Sequence, residues 1–306
     1  MSFRLNTDAG VVRRRYRAFG LVIDSTLAIP GALAVTGAAA LQATADVEIR
    51  IGALAADMTI EKQAGPYSYS RGSIIFDMPK VARYCCERGL TITVEPAVGA
   101  DQDAIEGMLI ATALPVLLWM RNRVVLHGAC VQLARSPAGF AIAGPSGSGK
   151  STLLQQFYQR GASVVGDDTI CLGLAHAAVS ASGLPGLIHG PVTGSARRPA
   201  IAVATDKALD GCRLNAVFVL RRAPAPADPV LSELTGVAAL EAMLGQRHRA
   251  GVLHLLGKQA AVLQALAGML AGPALRVFAW HRTEGDVGLR DKEVEFIEDI
   301  LQARTI

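Results

Sequence analysis

Glycines, a lysine and hydroxyl-bearing residues stand together in the run GPSGSGKST, which covers residues 144–152. This run matches the pattern G-x-x-x-x-G-K-[ST] at every fixed position, from Gly144 through Gly149 and Lys150 to Ser151. Glycines let the backbone curl so that successive N–H groups point at phosphate oxygens, and the lysine adds a full charge for the terminal phosphates. A serine hydroxyl after the lysine can ligate Mg²⁺. The loop therefore predicts a nucleotide-binding site.

The flanks of this loop have the pattern that a phosphate-binding loop requires. The apolar run GFAIAG (139–144) predicts a strand before it, and an amphipathic pattern predicts a helix from Lys150 to about Arg160, ended by Gly161. The N-terminal end of such a helix directs its positive dipole at the phosphates. The alternative is a glycine-rich turn that matches by chance, which this context does not favour. The residues predicted to bind nucleotide are Gly144, Pro145, Ser146, Gly147, Ser148, Gly149, Lys150, Ser151 and Thr152.

Two aspartates and a histidine are further candidates for chemistry. Asp167 and Asp168 follow an apolar predicted strand, 17 and 18 residues after Lys150. In a parallel α/β layout a carboxylate at a strand end lies beside the phosphate loop, where one could hold Mg²⁺ and the other could accept a proton from an attacking hydroxyl. Paired aspartates are also typical of turns. His127 lies in the predicted strand VVLHGACVQLA (124–134), where a lone histidine is more often a core or edge residue.

The first hundred residues carry mostly strand patterns, in RAFGLVIDS, ADVEIRIG, SIIFDM and LTITVEPA. Between the last two, PKVARYCCERG predicts a short helix that ends at Gly89. A longer helix is predicted from Asp101, as its N-cap, to about residue 122. We therefore expect a strand-rich N-terminal substrate-recognition region over residues 1–100.

From residue 124 onward, strand patterns alternate with helical ones, which favours an α/β fold. Helices are predicted over about 235–249 and 258–271, followed by the strand ALRVFAWHR and a last helix. Residues 180–213 are rich in glycine, proline, serine and arginine and predict loops, with Arg197 and Arg198 in a flap that could close over substrate. We expect residues 101–306 to form one catalytic domain.

Composition excludes several classes of function. A formal net charge of +4 in 306 residues is too small to predict binding to nucleic acid or to an anionic membrane. The apolar run 108–120 is shorter than the ~20 residues that span a bilayer, and Pro115 interrupts it. The five cysteines form no CxxC pair and predict buried free thiols. With no leader pattern at the start, we expect a cytoplasmic protein.

The stretch HGACVQLARSPAGFAIAGPSGSGKSTLLQQFYQRGASVVGDDTICL resembles the catalytic core of HPr kinase/phosphorylase and its relatives. That family has, in chain order, a strand that contains His-Gly, a turn that ends at a glycine, a P-loop, a helix that ends in Arg-Gly and a strand that ends in Asp-Asp. The corresponding positions here are His127-Gly128, Gly139, the loop 144–151, Arg160-Gly161 and Asp167-Asp168.

The resemblance implies a P-loop kinase core of the HPr kinase/PEP-carboxykinase-like type. It implies that His127 and Lys150 are catalytic and that Asp168 is the base that takes the proton of a serine. It also implies that Ser151 binds Mg²⁺, and we assign Asp167 to the same metal and to the catalytic set. The expected cofactors are ATP and Mg²⁺.

Two departures bear on the substrate. The family has an acidic residue where this chain has Thr152, and its Glu-Ile-Arg-Gly stretch is replaced by PGLIHGPVTGSARR. The chain is more similar to a divergent branch that phosphorylates a serine of lasso-peptide precursors, with a GxSGSGKST loop and a downstream strand like FVLRR. We therefore predict a kinase for a serine of a peptide or small protein, with an HPr-type kinase/phosphorylase as the alternative. Assembly into a homo-oligomer is left open by the sequence.

Other classes are distinguishable. A transport or motor ATPase of the ABC type carries an LSGGQ motif, which is absent here. A nucleotide-binding regulator without catalysis would keep the loop without needing the aspartates and histidine. A small-molecule kinase, or an enzyme similar to phosphoenolpyruvate carboxykinase, shares the loop geometry and would be separated by its acceptor.

Overall fold

The computed structural model describes residues 12–37, 44–55, 58–175, 178–190, 199–224, 230–273, 275–283 and 288–302. Within these ranges the chain is a mixed α/β protein with two large sheets and one two-stranded sheet. Arg197 and Arg198, predicted to belong to a flap, lie outside the described residues.

The first sheet is built entirely from strands that precede residue 97. Its strands are β1 Arg14–Ala18, β2 Leu21–Ser25, β3 Leu33–Ala34, β4 Val47–Ile51, β5 Lys62–Ala64, β6 Tyr67–Ser70, β7 Ser73–Met78, β8 Ala82–Glu87 and β9 Thr91–Pro96. They lie in the order β3-β1-β2-β4-β9-β8-β7-β6-β5. Alternate side chains along β2 are buried, as expected for a sheet with one face on the core. The strand patterns of this region are confirmed.

The prediction of a helix over PKVARYCCERG is wrong. Residues Ala82–Glu87 are a strand that pairs antiparallel with β7 and with β9. Tyr84 and Cys86 point into the core and are fully buried, and the Tyr84 hydroxyl donates to the carbonyl of Ile105 over 2.9 Å. Two flanking hairpins supply ladder hydrogen bonds that override the weak helical spacing of this segment.

A helical segment leads from the first sheet to the second. It comprises α1 Gln102–Met108, a π-helical turn Leu109–Ala113, and α2 Leu114–Met120. The predicted cap at Asp101 is present, since its carboxylate accepts from the N–H of Asp103 over 3.4 Å. In the described part of the chain, Gln102–Met120 is the one helical segment long and apolar enough to cross a membrane, and 61% of its most apolar window is buried inside the protein.

The second sheet contains eight strands. These are β10 Val124–Gln132, β11 Gly139–Ala143, β12 Ser163–Gly166, β13 Thr169–Ala175, β14 Ala178–Ser182, β17 Cys212–Ala223, β18 Leu231–Leu234 and β19 Arg276–Thr283. The main path is β11-β10-β13-β14-β17-β19-β18, with β12 paired to β10 and β11 also paired in parallel to β17. The strands predicted from residue 124 onward are confirmed.

The segment predicted as loops over 180–213 holds more strand than expected. It contains the end of β14 and a two-stranded sheet of β15 Leu187–His189 and β16 Ala200–Ala202. These strands are too short to show a period in the sequence, so the surrounding glycines and prolines dominated the pattern.

Four helices agree with predicted ones: α3 Lys150–Gln159, α4 Gly236–Leu244, α6 Gln259–Ala271 and α7 Asp291–Gln302. A fifth, α5 Val252–Leu256, was not predicted. The helix predicted over 235–249 ends at Leu244, and the segment 245–251 is a turn flanked by Gly245 and Gly251. The five cysteines are free thiols, four of them buried and Cys212 half-buried, as predicted.

Candidate functional site

The ends of β11 and β12 lie close together, because both strands pair with β10. Both β11 and β12 pair antiparallel with β10, so they run in the same direction with β10 between them. Ala143, the last residue of β11, pairs with Gly128, and Gly166, the last residue of β12, pairs with Cys130. The glycine loop, the aspartate pair and His127 are therefore neighbours. The expected proximity holds, although an antiparallel strand separates the two parallel ones.

The glycine loop 144–149 joins β11 to helix α3. Gly147 and Gly149 have φ of 76° and 95°, and Gly149 is the left-handed N-cap of the helix that begins at Lys150. At Gly144 (φ 152°) a β-carbon would lie 2.9 Å from Ser148 Oγ and 3.0 Å from Leu220 Cβ. A side chain at this position would force the loop out of its curl, so glycine is needed there for both space and backbone conformation.

Lys150 is buried, with 6% of its surface exposed, although it carries a positive charge. Its ammonium donates to the carbonyl oxygens of Gly144 and Pro145, each over 2.9 Å. The lysine therefore folds back over its own loop and lies inside the curl where the sequence predicts phosphate. A buried ammonium requires such acceptors because desolvation otherwise disfavours its charged form.

Asp167 connects the strand end to the helix. One carboxylate oxygen, Oδ1, accepts from the Ser151 hydroxyl over 2.9 Å and from the N–H of Asp168 over 2.9 Å. The other, Oδ2, accepts from the N–H of His189 over 2.8 Å, and the side chain is 1% exposed. The hydroxyl and carboxylate thus place their oxygen atoms within hydrogen-bonding distance of each other.

This pair fits the Mg²⁺ that the sequence predicts. Magnesium takes oxygen ligands and usually keeps several waters, so that one or two protein oxygens and substrate phosphates complete its shell. Within the described ranges there is no group of three or more His, Cys, Asp or Glu side chains that could hold a metal on its own. Ser151 and Asp167 are thus the residues that would hold the ion, together with phosphate oxygens.

Asp168 occupies a left-handed backbone conformation, with φ of 67°. Its carbonyl oxygen turns toward β10 and accepts from His127 Nδ1 over 2.9 Å and from the N–H of Gly128 over 3.1 Å. Its carboxylate Oδ1 lies 3.8 Å from the same ring nitrogen, and a quarter of the side chain is exposed. A positive φ at a non-glycine residue is uncommon and is frequent at functional sites, where neighbouring contacts hold it in place.

His127 has a defined tautomer. A carbonyl oxygen can only accept, so Nδ1 carries the proton and Nε2 has its lone pair available. Burial lowers the pKa of His127, and the charge of Lys150 lowers it further, against the opposing effect of Asp168. The ring stacks on that of His248 with centroids 5.3 Å apart, and burial lowers the pKa of His248 as well. Both rings are therefore neutral near pH 7.

A cavity of about 830 Å³ opens over these groups. Its walls include Gly144, Pro145, Ser146, His127, Asp167, Asp168, Thr169 and His189. The opposite wall is the turn 245–249, with Arg247, His248 and Arg249, and the turn of helix around Ile110 and Ala111. Lys150 and Ser151 are outside this lining but contact residues within it, Lys150 the carbonyls of Gly144 and Pro145 and Ser151 the carboxylate of Asp167.

The wall formed by the turn 245–249 was not predicted from the sequence. A signal was present in the run Arg-His-Arg between Gly245 and Gly251, since charged residues that end a helix between glycines favour an exposed loop. The N–H of His127 donates to the carbonyl of Gln246 over 2.8 Å, which attaches this turn to β10.

Comparisons with known proteins find distant similarity among solved structures. No protein-family model matches the chain, and no curated protein is significantly similar to it. Among solved structures, the Hpr(Ser) kinase/phosphatase from Coxiella burnetii is similar, with 16% sequence identity. The similarity covers 58% of this chain and 94% of that chain, with a TM-score of 0.35. A match at this level does not establish a shared activity, substrate or partner.

Proposed function

We propose that this protein is an ATP- and Mg²⁺-dependent kinase that transfers the γ-phosphate to a serine hydroxyl of a peptide or small protein. The observation that carries the proposal is the hydrogen bond from the Ser151 hydroxyl to the Asp167 carboxylate. It joins the first turn after the glycine loop to the strand end, with Lys150 and Asp168 beside it. Phosphoryl transfer needs a phosphate-binding loop with an acidic side chain next to it, and Ser151 and Asp167 bring these two parts into hydrogen-bonding contact.

In this proposal the loop 144–149 and the first turn of α3 bind the triphosphate through backbone N–H groups. Lys150 exchanges the carbonyls of Gly144 and Pro145 for β- and γ-phosphate oxygens, because an anionic acceptor binds an ammonium more strongly than a neutral one. Ser151 and Asp167 are the residues that would hold Mg²⁺, which would neutralise charge on the phosphates.

Asp168 accepts the proton of the acceptor. The serine oxygen forms a bond to the γ-phosphorus, the bond from that phosphorus to the β–γ bridging oxygen breaks, and ADP leaves with the bond's electron pair. His127 is a positioning residue, because its Nδ1–H holds the carbonyl of Asp168 and so fixes the left-handed backbone that aims the carboxylate. Arg247 and Arg249 line the opposite wall, where they face the incoming acceptor.

For the acceptor we propose a ribosomally made precursor peptide of the lasso type. The support is the resemblance of the loop and the FVLRR strand to that branch, together with a cavity of about 830 Å³ whose wall includes Arg247 and Arg249. In this proposal the nine-stranded sheet is the substrate-recognition region and residues 101–306 the catalytic domain. An HPr-type protein substrate and a nucleotide-binding regulator remain the alternatives that experiment must separate.

The proposal is tested with labelled ATP, Mg²⁺ and the short peptide encoded beside the gene. Transfer of label to a serine of that peptide, lost in Asp168→Asn but with ATP still bound, is the expected result. Label on HPr but not on the peptide would support the HPr-type alternative. Binding of ATP with no acceptor-dependent turnover by the unchanged protein would indicate the regulator and contradict the kinase.

A further inference from the structure

A second cavity, of about 820 Å³, lies at one end of the nine-stranded sheet. The hairpin loop between β6 and β7 and the loop between β8 and β9 form two of its walls, and β4 contributes a third. Three arginines, Arg50, Arg71 and Arg88, line this cavity together with four hydroxyl-bearing residues, against a single acidic side chain, Glu87. The described lining therefore carries net positive charge.

The guanidinium groups of Arg71 and Arg88 are available for a ligand. Among the residues that the structure describes, neither group has a hydrogen bond or an ion pair, and both side chains are exposed. Arg83, which lies in β8, differs because it forms ion pairs with Asp77 and Glu95 at 3.1 and 3.3 Å. Arginines that are not neutralised by the protein, and that converge with hydroxyl donors on one cavity, match carboxylate or phosphate groups.

The backbone at these two positions is not one that arginine favours. Arg71 and Arg88 have φ of 45° and 50°, in turns where glycine or asparagine has less strain. Lys80, with φ of 64° in the hairpin between β7 and β8, shares the conformation at the other end of the sheet. The conformation alone therefore does not mark a binding site. The convergence of Arg71 and Arg88 on one cavity distinguishes them from Lys80.

Two apolar side chains line the cavity together with these cations. Leu90 has 55% of its surface exposed, and Met58 is half-buried. Exposed apolar surface that shares a cavity with charged groups is typical of an interaction surface. The surface therefore matches a partner that presents both acidic and apolar side chains.

We propose that this cavity binds an acidic, partly apolar segment of the acceptor peptide, separate from the serine that is phosphorylated. The proposal rests on the proposed kinase function for the identity of the partner. The two cavities are connected through α2, since Arg121 just after it donates to the carbonyl of Gly89 over 2.8 Å, and Trp119 within it donates to the carbonyl of His248 over 2.7 Å. Docking at the sheet would raise the local concentration of the serine at the catalytic cavity.

The test uses a fluorescein-labelled peptide of alternating leucine and glutamate, with fluorescence anisotropy as the readout. The unchanged protein should bind it, and raised salt should weaken binding because the contacts are ionic. The double variant Arg71→Asn/Arg88→Asn should bind about a hundredfold more weakly, at about tenfold for each lost charge-assisted contact. Its melting temperature should stay equal or rise, since asparagine suits the left-handed backbone better.

Lys80→Asn is the matched control, because it removes one charge from the same backbone conformation outside the cavity, and it should leave peptide affinity unchanged. Equal binding by the double variant and the parent, or equal binding of a leucine–lysine peptide, would overturn the proposal. Complete displacement of the peptide by inorganic phosphate at equal concentration would indicate a small-anion site and also overturn it. Binding of a fluorescent ATP analogue, measured in parallel, reports on the catalytic cavity, so failure of docking is distinguishable from failure of the kinase function.

Discussion

The Ser151 hydroxyl donates to the Asp167 carboxylate over 2.9 Å, and this bond joins the first turn of helix α3 to the residue that follows β12. It brings Ser151 to Asp167, which lines the same cavity as Asp168 and His127. The sheet explains the bond, because β11 and β12 run in the same direction on the two sides of β10 and end together.

Replacement of Ser151 tests the metal assignment. Ser151→Ala should lower phosphoryl transfer by at least about a hundredfold, because a metal ligand on the transferring phosphates is lost. Ser151→Thr keeps the hydroxyl and should retain most of the activity. Initial rates across a Mg²⁺ titration provide the measurement, with the alanine variant needing more metal. Equal rates for the two variants would contradict the assignment.

Replacement of Asp168 tests the proton acceptor. Asp168→Asn keeps the size and the backbone hydrogen bonds and removes the basic oxygen, so turnover should fall by about 10²–10⁴-fold while ATP affinity stays the same. Single-turnover transfer from labelled ATP measures the first quantity, and equilibrium binding of the nucleotide measures the second. Unchanged turnover would remove this residue from the chemistry.

Lys150→Ala should abolish binding of the triphosphate at the concentrations that saturate the unchanged protein. The ammonium is the one cation held inside the described loop, and its place cannot be taken by solvent-exposed lysines. Lys207→Ala is the matched control, since Lys207 also donates to a carbonyl, that of Gly161 over 2.9 Å, outside the cavity. Fluorescence of an N-methylanthraniloyl ATP analogue distinguishes the two, and equal affinity for both would refute the role.

Gly128, in the His-Gly pair, is required by packing. A β-carbon there would lie 2.8 Å from the carbonyl oxygen of Ile142 in the neighbouring strand. Gly128→Ala should therefore lower the free energy of unfolding by about 1–3 kcal/mol. Gly268→Ala, in the exposed middle of α6 with nothing within 4 Å, should raise it by about 0.5–1 kcal/mol. Urea denaturation measures both, and a neutral Gly128→Ala would show that the strands can separate at no cost.

The pH dependence of stability follows from His127 and His248. Burial lowers the pKa of each below the ordinary value of 6.5, so the unfolded chain takes up protons more readily than the folded one. Stability is fully present above pH 6.5 and is lost as pH falls from there through the lowered folded values, at most about 1.4 kcal/mol per pH unit for each ring. His127→Asn and His248→Gln keep the bonds to carbonyls and should flatten this slope. Stability that rises on acidification would contradict the predicted direction.

The sequence predicted the parts of the site whose information is local. The curl of the loop at Gly144 and Gly149, the helix from Lys150 and the acids after β12 each follow from residues within a short segment. The roles of these residues stay predictions. The strand Ala82–Glu87 was misread because its pairing with β7 and β9 decides its conformation, and no spacing within it reveals those partners.

The turn 245–249 could not be predicted for a similar reason. It reaches the cavity because Trp119 Nε1 donates to the carbonyl of His248, between residues 129 positions apart, and because His127 donates to the carbonyl of Gln246. Contacts over such distances along the chain leave no periodic trace in either segment. The charged run Arg-His-Arg indicates that this turn is exposed, but only the folded structure shows that it lines the cavity.

The carbonyls of Gly144 and Pro145 solvate the ammonium of Lys150 in place of water or an anion. A buried cation that depended on its nucleotide for compensation would make folding itself conditional on cofactor supply. Here the chain provides its own counter-dipoles, so the folded state does not require a bound nucleotide to compensate this charge.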